Sequence, residues 1–200
     1  MSIVVEHEKR RYEILEKALD VFMDEGFEDA TFQKIADRCN ITRTTLYIYF
    51  KNKGEIFNFS IKQFLQILEG DIIEIRKGKE ISHTEKLIRV MTVIIERLEE
   101  NRRILSVVLD YLVHVPRDDY DPDYRVRRRT VRLRHILATM LIEGIKAGEF
   151  EKSINVKEAD ELLYGFLEAA VFRLVILRRP SVDELINATR LAVSRFAAKA

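Results

Sequence analysis

Length, composition and charge restrict the chain to a well-packed globular protein. Of its 200 residues 47% are hydrophobic and 34% charged, which is too apolar for disorder and too rich in helix formers for an all-β fold. The single cysteine, Cys39, excludes an intramolecular disulfide framework or a cysteine-ligated metal site, and the net charge of +1 gives no overall indication of a nucleic-acid partner.

The first predicted helix runs over about residues 8–25 and carries an apolar stripe at helical spacing. Gly26 should end it in the left-handed conformation. Phe27 should then fold back onto Phe22, as in a Schellman ending.

The second and third predicted helices are short and separated by a sharp turn. Thr31 is a good N-cap for the second helix, and Asn40 tolerates the left-handed conformation that the turn requires. Thr42 then caps the third helix, which ends near Phe50. One face of the second helix is apolar: Phe32, Ile35, Ala36 and Cys39.

Helical patterning continues to the end of the chain. Three capping boxes are predicted at Asn52 with Glu55, Ser82 with Glu85, and Ser181 with Glu184. We find no convincing strand, so the sequence predicts an all-α fold of about nine helices. The later helices are predicted at 52–77, 83–100, 102–115, 123–147, 156–178 and 181–198.

The exposed face of the third helix has an unusual composition. At 100° per residue, Leu46 and Phe50 should pack against Ile35 and Phe22, which leaves a polar and aromatic face outside. This face holds Arg43, Thr44, Thr45, Tyr47 and Ile48 instead of the Glu and Lys expected of plain solvation. Such side chains suit base edges in a major groove, and the spacing predicts a helix-turn-helix over Thr31–Phe50. An ordinary three-helix core with a solvated face is the alternative.

The positive charge near this face is confined to a short segment of the chain. Residues 1–55 hold nine Lys or Arg and eleven Asp or Glu, a net of −2, whereas 34–53 hold five cations and one anion. Attraction to phosphate must come from this short segment because distant exposed charges are screened. Contacts with the DNA backbone are predicted from Thr31, Gln33, Tyr49, Lys51 and Lys53.

The stretch from Ala18 to Phe57 resembles the N-terminal domain of the TetR family of transcriptional regulators. The resemblance extends to the total length and the all-helical remainder, and implies a DNA-binding domain over 1–51. The motifs that carry it are Ala18–Phe22, Gly26-Phe27, Ala30-Thr31, Ile35-Ala36, Thr45-Leu46-Tyr47, Tyr49-Phe50 and Lys51-Asn52-Lys53.

The resemblance also implies how such a protein works. It implies a homodimer that binds a palindromic operator in double-stranded DNA, with an effector-binding and dimerisation domain over 52–200 that releases the DNA when a small molecule binds. By position, the DNA contacts would be Thr31, Gln33, Thr42, Arg43, Thr44, Thr45, Tyr47, Tyr49 and Lys53.

Two further sets of residues are predicted in the C-terminal part. The last two helices are the candidates for dimerisation, through Leu162, Phe166, Ala169, Leu185, Thr189, Ala192 and Phe196. These helices could instead complete the core of a monomer. A pocket among the middle helices would be lined by Phe57, Phe64, Leu68, Tyr111, His114 and Phe166, any of which could also be a core residue.

A basic run, Arg125 to Arg134, has two interpretations. It is either a solvated helix face paired with nearby acids or a surface for an acidic ligand or partner. The effector, the operator and the direction of regulation are not encoded in any motif.

Three classes of function are compared. A ligand-responsive regulator, usually a repressor, is favoured; a DNA-binding protein with a chromosome-organising role is the alternative. An enzyme is not expected because no nucleophile elbow, phosphate loop or zincin motif occurs, and we expect no cofactor and no metal. The N-terminus lacks a signal peptide and the longest apolar run is broken by charges, so we expect a cytoplasmic, nucleoid-associated protein without a membrane partner.

Overall fold

The computed structural model describes residues 2–114, 122–177 and 181–198, without the side chains of 2–4, 63–64, 110, 112–114 and 122–130. Within these residues the regular structure is helical, and the all-α prediction is confirmed; an isolated β-bridge joins Phe150 and Ala197. A π-helical turn, Phe172–Ile176, follows the eighth of nine α-helices in the described part. The helices are α1 (Ser2–Asp29), α2 (Phe32–Cys39), α3 (Arg43–Tyr49), α4 (Lys53–Lys77), α5 (His83–Glu100), α6 (Arg102–His114), α7 (Pro122–Lys146), α8 (Val156–Val171) and α9 (Asp183–Ser194).

Gly26 interrupts α1 as predicted, but in a different conformation. Its φ of 82° is positive, whereas its ψ of 169° is extended, so the predicted left-handed conformation is wrong. The chain then makes one more helical turn to Asp29. The Phe22 and Phe27 rings stack with centroids 5.7 Å apart, which confirms the predicted contact.

The caps of α2 and α3 are confirmed. The Thr31 hydroxyl accepts a hydrogen bond from the Lys34 N–H at 3.2 Å, and the Thr42 hydroxyl accepts from the Thr45 N–H at 3.0 Å. Asn40 adopts φ 55° and ψ 44°, the left-handed turn that separates the two helices.

Later caps are confirmed in part. Asn52 accepts from the Glu55 N–H and Ser82 accepts from the Glu85 N–H. The capping box at Ser181 and Glu184 is wrong. α9 begins only at Asp183, whose N–H donates to Ser181, and Glu184 instead pairs with Arg173.

The chain divides into two compact units. The first comprises residues up to Ile67 together with Arg103–His114, and the second comprises Leu68–Arg102 with the described residues after His114. This division does not follow the predicted boundary between residues 51 and 52, because apolar side chains of α4 and α6 complete the first core. Those side chains are Ile56, Phe57, Ile61, Ile104 and Val107.

The core of the first unit is rich in aromatic rings. Phe22 and Phe50 are fully buried. Tyr111 of α6 packs against Phe27 and Phe57, with ring centroids 4.5 and 4.8 Å apart. These contacts fix α1, α4 and α6 around the two short helices α2 and α3.

The core of the second unit is mainly aliphatic, and a polar cap supports it. The Glu149 carboxylate accepts hydrogen bonds from the His83 and Thr84 N–H groups, at 2.9 and 3.1 Å, and so caps the start of α5. Burial raises the pKa of the Glu149 carboxyl, but these two N–H groups outweigh burial and the pKa lies below its ordinary value. The fully buried aliphatic side chains include Leu87, Met91, Ile94, Ile95 and Leu137. None of the helices in the described ranges is long and apolar enough to span a bilayer.

Candidate nucleic-acid interface

The two faces of α3 differ sharply in exposure. Leu46 is fully buried, whereas Tyr47 is 50% and Ile48 is 69% exposed. Arg43 and Thr44 are exposed on the same helix. A short helix that buries one leucine and presents two large apolar side chains to solvent has a face suited to another molecule.

Tyr47 holds the side chain of Arg43 in place on the exposed face of α3. Its Nη2 donates to the Tyr47 hydroxyl at 3.1 Å, and its guanidinium carbon lies 5.6 Å from the centroid of the Tyr47 ring. The Tyr47 ring in turn packs against Phe32 of α2, with centroids 4.7 Å apart. The guanidinium is therefore oriented before any ligand arrives, which lowers the entropic cost of a bidentate contact.

Four other predicted contact residues already have partners. Thr42 and Thr45 lie with their hydroxyl oxygens 2.8 Å apart, and Thr42 also caps α3. Thr31 caps α2, and the Gln33 side-chain amide donates to Asp37 at 2.7 Å. A Thr hydroxyl that accepts from an N–H keeps its own hydrogen for a second acceptor, so capping does not preclude a phosphate contact.

Lys53 makes a contact that the sequence did not indicate. Its ammonium group donates to the carbonyl oxygens of Phe27 and Glu28, at 2.9 and 2.7 Å, and lies 4.8 Å from the Phe27 ring centroid. The side chain thus satisfies carbonyls at the end of α1. An ammonium group has three donors, so one remains for a phosphate.

Tyr49 lies against a residue that sequence reasoning missed. The His7 imidazole stacks on the Tyr49 ring, with centroids 4.6 Å apart and planes at 26°. The two residues are 42 positions apart, and no local pattern links them. The contact brings the first turns of α1 to the last residue of α3.

Cations on the α1–α2 side of the first unit are paired with acids. Asp24 accepts from Arg38 at 3.0 Å and from Arg103 at 2.7 Å, while Lys34 pairs with Glu25. The hydrogen bond from Arg38 lowers the pKa of the Asp24 carboxyl more than burial raises it, and Arg103 lowers it further. These pairs explain why a net acidic domain can still present cations at α3.

Cys39 belongs to the first core. Burial raises the pKa of its thiol, which keeps it protonated. No group of three His, Cys, Asp or Glu residues in the described ranges could hold a metal ion.

The structure describes the side chains of four of the six residues predicted to line a pocket. Phe57 and Tyr111 pack on each other in the first core, and Leu68 is buried in the second unit. Phe166 is partly exposed and lines a groove along α8 and α9. The side chains of Phe64 and His114 lie outside the described residues.

The residues predicted for dimerisation fall into two groups. Leu162 is 48% exposed and lines the groove along α8 and α9 with Phe166 and Ala169. Leu185 and Thr189 are only 4% and 1% exposed and are largely buried in their own unit, although Leu185 also borders the groove. Ala192 and Phe196 are partly exposed.

The basic run of α7 is paired with acids wherever it is described. Arg132 pairs with Glu69 at 3.1 Å, and Arg134 pairs with the buried Asp160 at 2.8 Å and with Glu161. The side chains of Arg125, Arg128 and Arg129 lie outside the described residues. For the described end of the run, pairing with nearby acids is the interpretation that the contacts support.

A match to a protein-family model identifies the N-terminal part of the chain. Residues 14–58, which span the helix-turn-helix and its flanking helices, match the model described as "Bacterial regulatory proteins, tetR family". This part of the chain is a TetR-family DNA-binding domain. The match indicates a DNA-binding transcriptional regulator.

Two curated TetR-family relatives align over most of the chain. The fatty acid metabolism regulator protein of Bacillus subtilis strain 168 is 25% identical over 163 residues, 80% of each chain. The transcriptional repressor KstR2 of Mycolicibacterium smegmatis is 28% identical over 161 residues, 79% of this chain and 74% of the relative. One is named as a regulator of fatty acid metabolism and the other as a transcriptional repressor, so the chromosome-organising alternative is not favoured.

The TetR-type fold is also found in solved structures. The transcriptional regulator FadR from Bacillus subtilis, in complex with stearoyl-CoA, superposes with a TM-score of 0.73 and 21% identity over 94% of this chain and 97% of that chain. A TetR transcription regulator from Haloarcula marismortui gives a TM-score of 0.78 at 20% identity over 95% and 97%. The predicted two-part helical architecture of the family is confirmed.

Proposed function

We propose that this TetR-family chain is a repressor that binds a palindromic operator as a homodimer and is released when a long-chain acyl thioester binds. The observation that carries the DNA part is the exposed face of α3, where Arg43 is oriented by Tyr47 beside an exposed Ile48. Arg43 reads a guanine, and Ile48 contacts a thymine methyl.

The remaining predicted contacts set register on the DNA backbone. Thr31, Gln33, Tyr49 and Lys53 bind phosphates, while Thr42, Thr44, Thr45 and Tyr47 line the groove. Since Lys53 also binds the two carbonyls at the end of α1, Lys53→Ala would loosen the domain as well as remove a cation. The exposed Lys51 is the cleaner residue for a phosphate test.

The experiment that tests base reading combines selection with one variant. Duplexes bound from a random pool define the operator, and Arg43→Ala is then measured on it and on each single-base variant. We expect a loss of about 1–3 kcal/mol of discrimination, confined to one base position. Lys51→Ala is the matched control and should weaken all duplexes about equally. Equal losses for Arg43→Ala on operator and random duplexes would contradict base reading.

The homodimer is proposed to form through exposed apolar side chains of α8, of the π-helical turn that follows it and of α9. Leu162, Phe172 and Leu191 are 48%, 53% and 60% exposed, and Phe166 and Ala169 lie beside Leu162 in the groove. Leu185 and Thr189 are omitted from the proposed interface because they are buried within the chain. Two such faces related by a two-fold axis would form an isologous interface.

Dimerisation is tested by the molecular mass of the protein in solution and by its footprint on operator DNA. Leu162→Glu should yield monomers by light scattering, whereas Ile142→Glu, a change at an exposed apolar residue of α7, should leave the dimer intact. The wild-type footprint should show dyad symmetry, with half-site centres about 34–36 Å apart or a multiple of that. A symmetric footprint from a monomeric wild type would contradict the proposed interface.

The effector class is supported by the relatives alone. One is named for fatty acid metabolism, and the FadR structure contains stearoyl-CoA. Stearoyl-CoA at about 100 times its Kd should stabilise the protein by about 2.7 kcal/mol and release operator DNA. Free coenzyme A is the control, and an equal response to both would contradict recognition of the acyl chain.

The proposed function includes no catalytic step, because the contacts that support it are binding contacts. The regulator would act where the DNA is, in the cytoplasm and on the nucleoid.

A further inference from the structure

Two basic residues of α1 contact the aromatic side chains where α3 ends and α4 begins. The His7 ring stacks on Tyr49, and the Arg11 guanidinium carbon lies 4.1 Å from the Phe59 ring centroid and 5.3 Å from that of Phe50. His7 and Arg11 are four residues apart and so lie on one face of α1. Within the first unit, this face of α1 therefore packs against the C-terminal end of α3 and the beginning of α4.

The charge of Arg11 is held by rings and not neutralised by an acid. Among the described residues Arg11 forms no ion pair and no hydrogen bond, and its Nε is buried without a partner. The adjacent Arg10 pairs with Glu13 at 2.8 Å. A ring face attracts a guanidinium group but leaves its positive charge available to an anion.

A second cation strengthens the positive field at the same place. The Lys62 ammonium lies 5.9 Å from the Phe59 ring centroid, so two cations contact one ring. Lys51 is exposed next to Phe50, and the carboxylate nearby, Glu55, accepts from the Lys51 N–H at 2.6 Å as part of the cap of α4. Arg11 and Lys62 therefore both lie over the Phe59 ring, an arrangement that concentrates positive charge and suits an anion.

The dimensions of DNA indicate which anion reaches this place. α3 has seven residues and is about 10 Å long, and the major groove is about 12 Å wide. When α3 lies in the groove, side chains at its ends reach the strands that border the groove. Tyr49 is the last residue of α3, so His7, which stacks on it, would then lie next to a row of phosphates, with Arg11 one turn further along α1.

We propose that His7, Arg11 and Tyr49, here called the α1 strip, form an additional contact with the DNA backbone. Arg11 binds a phosphate through its guanidinium group, and His7 is a positioning residue that holds Tyr49 against the neighbouring phosphate. The proposal rests on the proposed function, because it requires α3 to enter the major groove.

The salt dependence of binding tests Arg11. Arg11→Met keeps an apolar stem over Phe59 but removes the cation, and should lower the slope of log affinity against log salt by about 0.9 on operator and random duplexes alike. The loss of affinity between 50 and 200 mM salt would then be about 3.5-fold smaller than for the wild type. Arg11→Lys should restore the slope, and Arg10→Met, the matched control, should leave it unchanged.

A double-mutant cycle tests His7. His7→Ala should weaken operator binding at least about twofold in the wild-type background and have little effect when Tyr49→Phe has removed the phenol hydroxyl. His7→Phe, which keeps a ring on Tyr49, should restore binding. Additive effects of His7→Ala and Tyr49→Phe would show that His7 does not act through Tyr49, and would overturn its role.

Thermal unfolding of each variant is measured in parallel. It distinguishes a structural role of the α1 strip from a direct contact with DNA. If Arg11→Met lowers the unfolding temperature but keeps the wild-type salt slope, the strip is structural and the inference is overturned, while base reading by Arg43 stands. If the wild type selects no duplex at all, the proposed function and the inference fail together.

Discussion

The two units of the chain build their cores from different side chains. Rings from α1, α2, α3, α4 and α6 pack on one another in the first unit, whereas the second is filled by Leu, Ile, Val and Met. In the second unit one ring pair is described, Phe150 with Phe196, and Phe150 is fully buried among the aliphatic side chains.

The difference bears on what each unit does. Rings have few rotamers and make oriented contacts, so they fix the position of a seven-residue recognition helix that cannot hold its own shape. Aliphatic side chains repack at lower cost, which suits a unit that is proposed to bind an effector. The difference between the two cores therefore predicts that the first unit, which presents α3, is rigid and that the second unit is more adaptable.

Truncation of the central ring should have the largest effect. Phe22→Ala removes a fully buried side chain that stacks on Phe27 and meets Phe57 edge to face, and should lower the free energy of unfolding by about 3–5 kcal/mol. Chemical denaturation measures the loss, and Leu137→Ala in the second core is the matched control, at about 2–5 kcal/mol. Hydrogen exchange should place the Phe22 loss mainly in α2 and α3. Equal loss of protection in both units would contradict the comparison.

A single added methyl group should break the ring contact of the second unit. A Cβ at Gly144 would lie 2.2 Å from the Phe150 ring, so Gly144→Ala should displace that ring and cost about 1–3 kcal/mol. Gly70→Ala is the control, because nothing lies within 4 Å of the added methyl and a helical Ala is favoured by up to about 1 kcal/mol. A neutral Gly144→Ala in a urea titration would show that the ring contact is dispensable.

The contribution of the polar cap of α5 to the free energy of unfolding should depend on pH. Because the pKa of Glu149 is lowered from 4.5 in the folded state, its contribution is complete above pH 4.5 and is lost as the pH falls through the lower, folded-state pKa. Glu149→Gln should therefore cost about 1 kcal/mol at neutral pH. Below the folded pKa the two proteins should converge in unfolding experiments at graded pH. A constant difference at all pH values would assign the loss to packing.

The smallest effect is expected from the paired cations on the outer side of the first unit. Asp24→Asn removes the charge that Arg38 and Arg103 share, on a surface open to water and salt. The stability change should be the least of the four and should fade when thermal unfolding is repeated at high salt. A loss that persists at high salt would mean that these pairs organise the unit.

Local features of the fold were predictable from the sequence, and distant ones were not. The caps at Thr31, Thr42 and Asn52 depend on residues three positions away, and the turn at Asn40 on one residue. Ser181 shows the limit, since the start of α9 shifted by one residue and the cap changed with it.

Contacts between distant residues follow from packing, which periodicity does not encode. The ammonium of Lys53 reaches carbonyls 25 and 26 residues earlier, and Glu149 reaches backbone N–H groups 65 and 66 residues earlier. Long side chains such as Lys and Glu can end on several elements with equal ease. The same holds for Phe57 and Tyr111, since no local signal in the sequence placed them in the first core.

Lys53 makes the helix-turn-helix a closed loop. Its ammonium fastens the start of α4 to the end of α1, so α2 and α3 lie on a segment whose two ends are tied without a covalent bond. Closing such a loop removes chain entropy from partly unfolded states, as a crosslink does. The segment should then open as one unit in slow exchange. Acetylation of this single amine, which removes its charge and two of its three donors, would loosen DNA reading without altering any residue of the groove-facing surface.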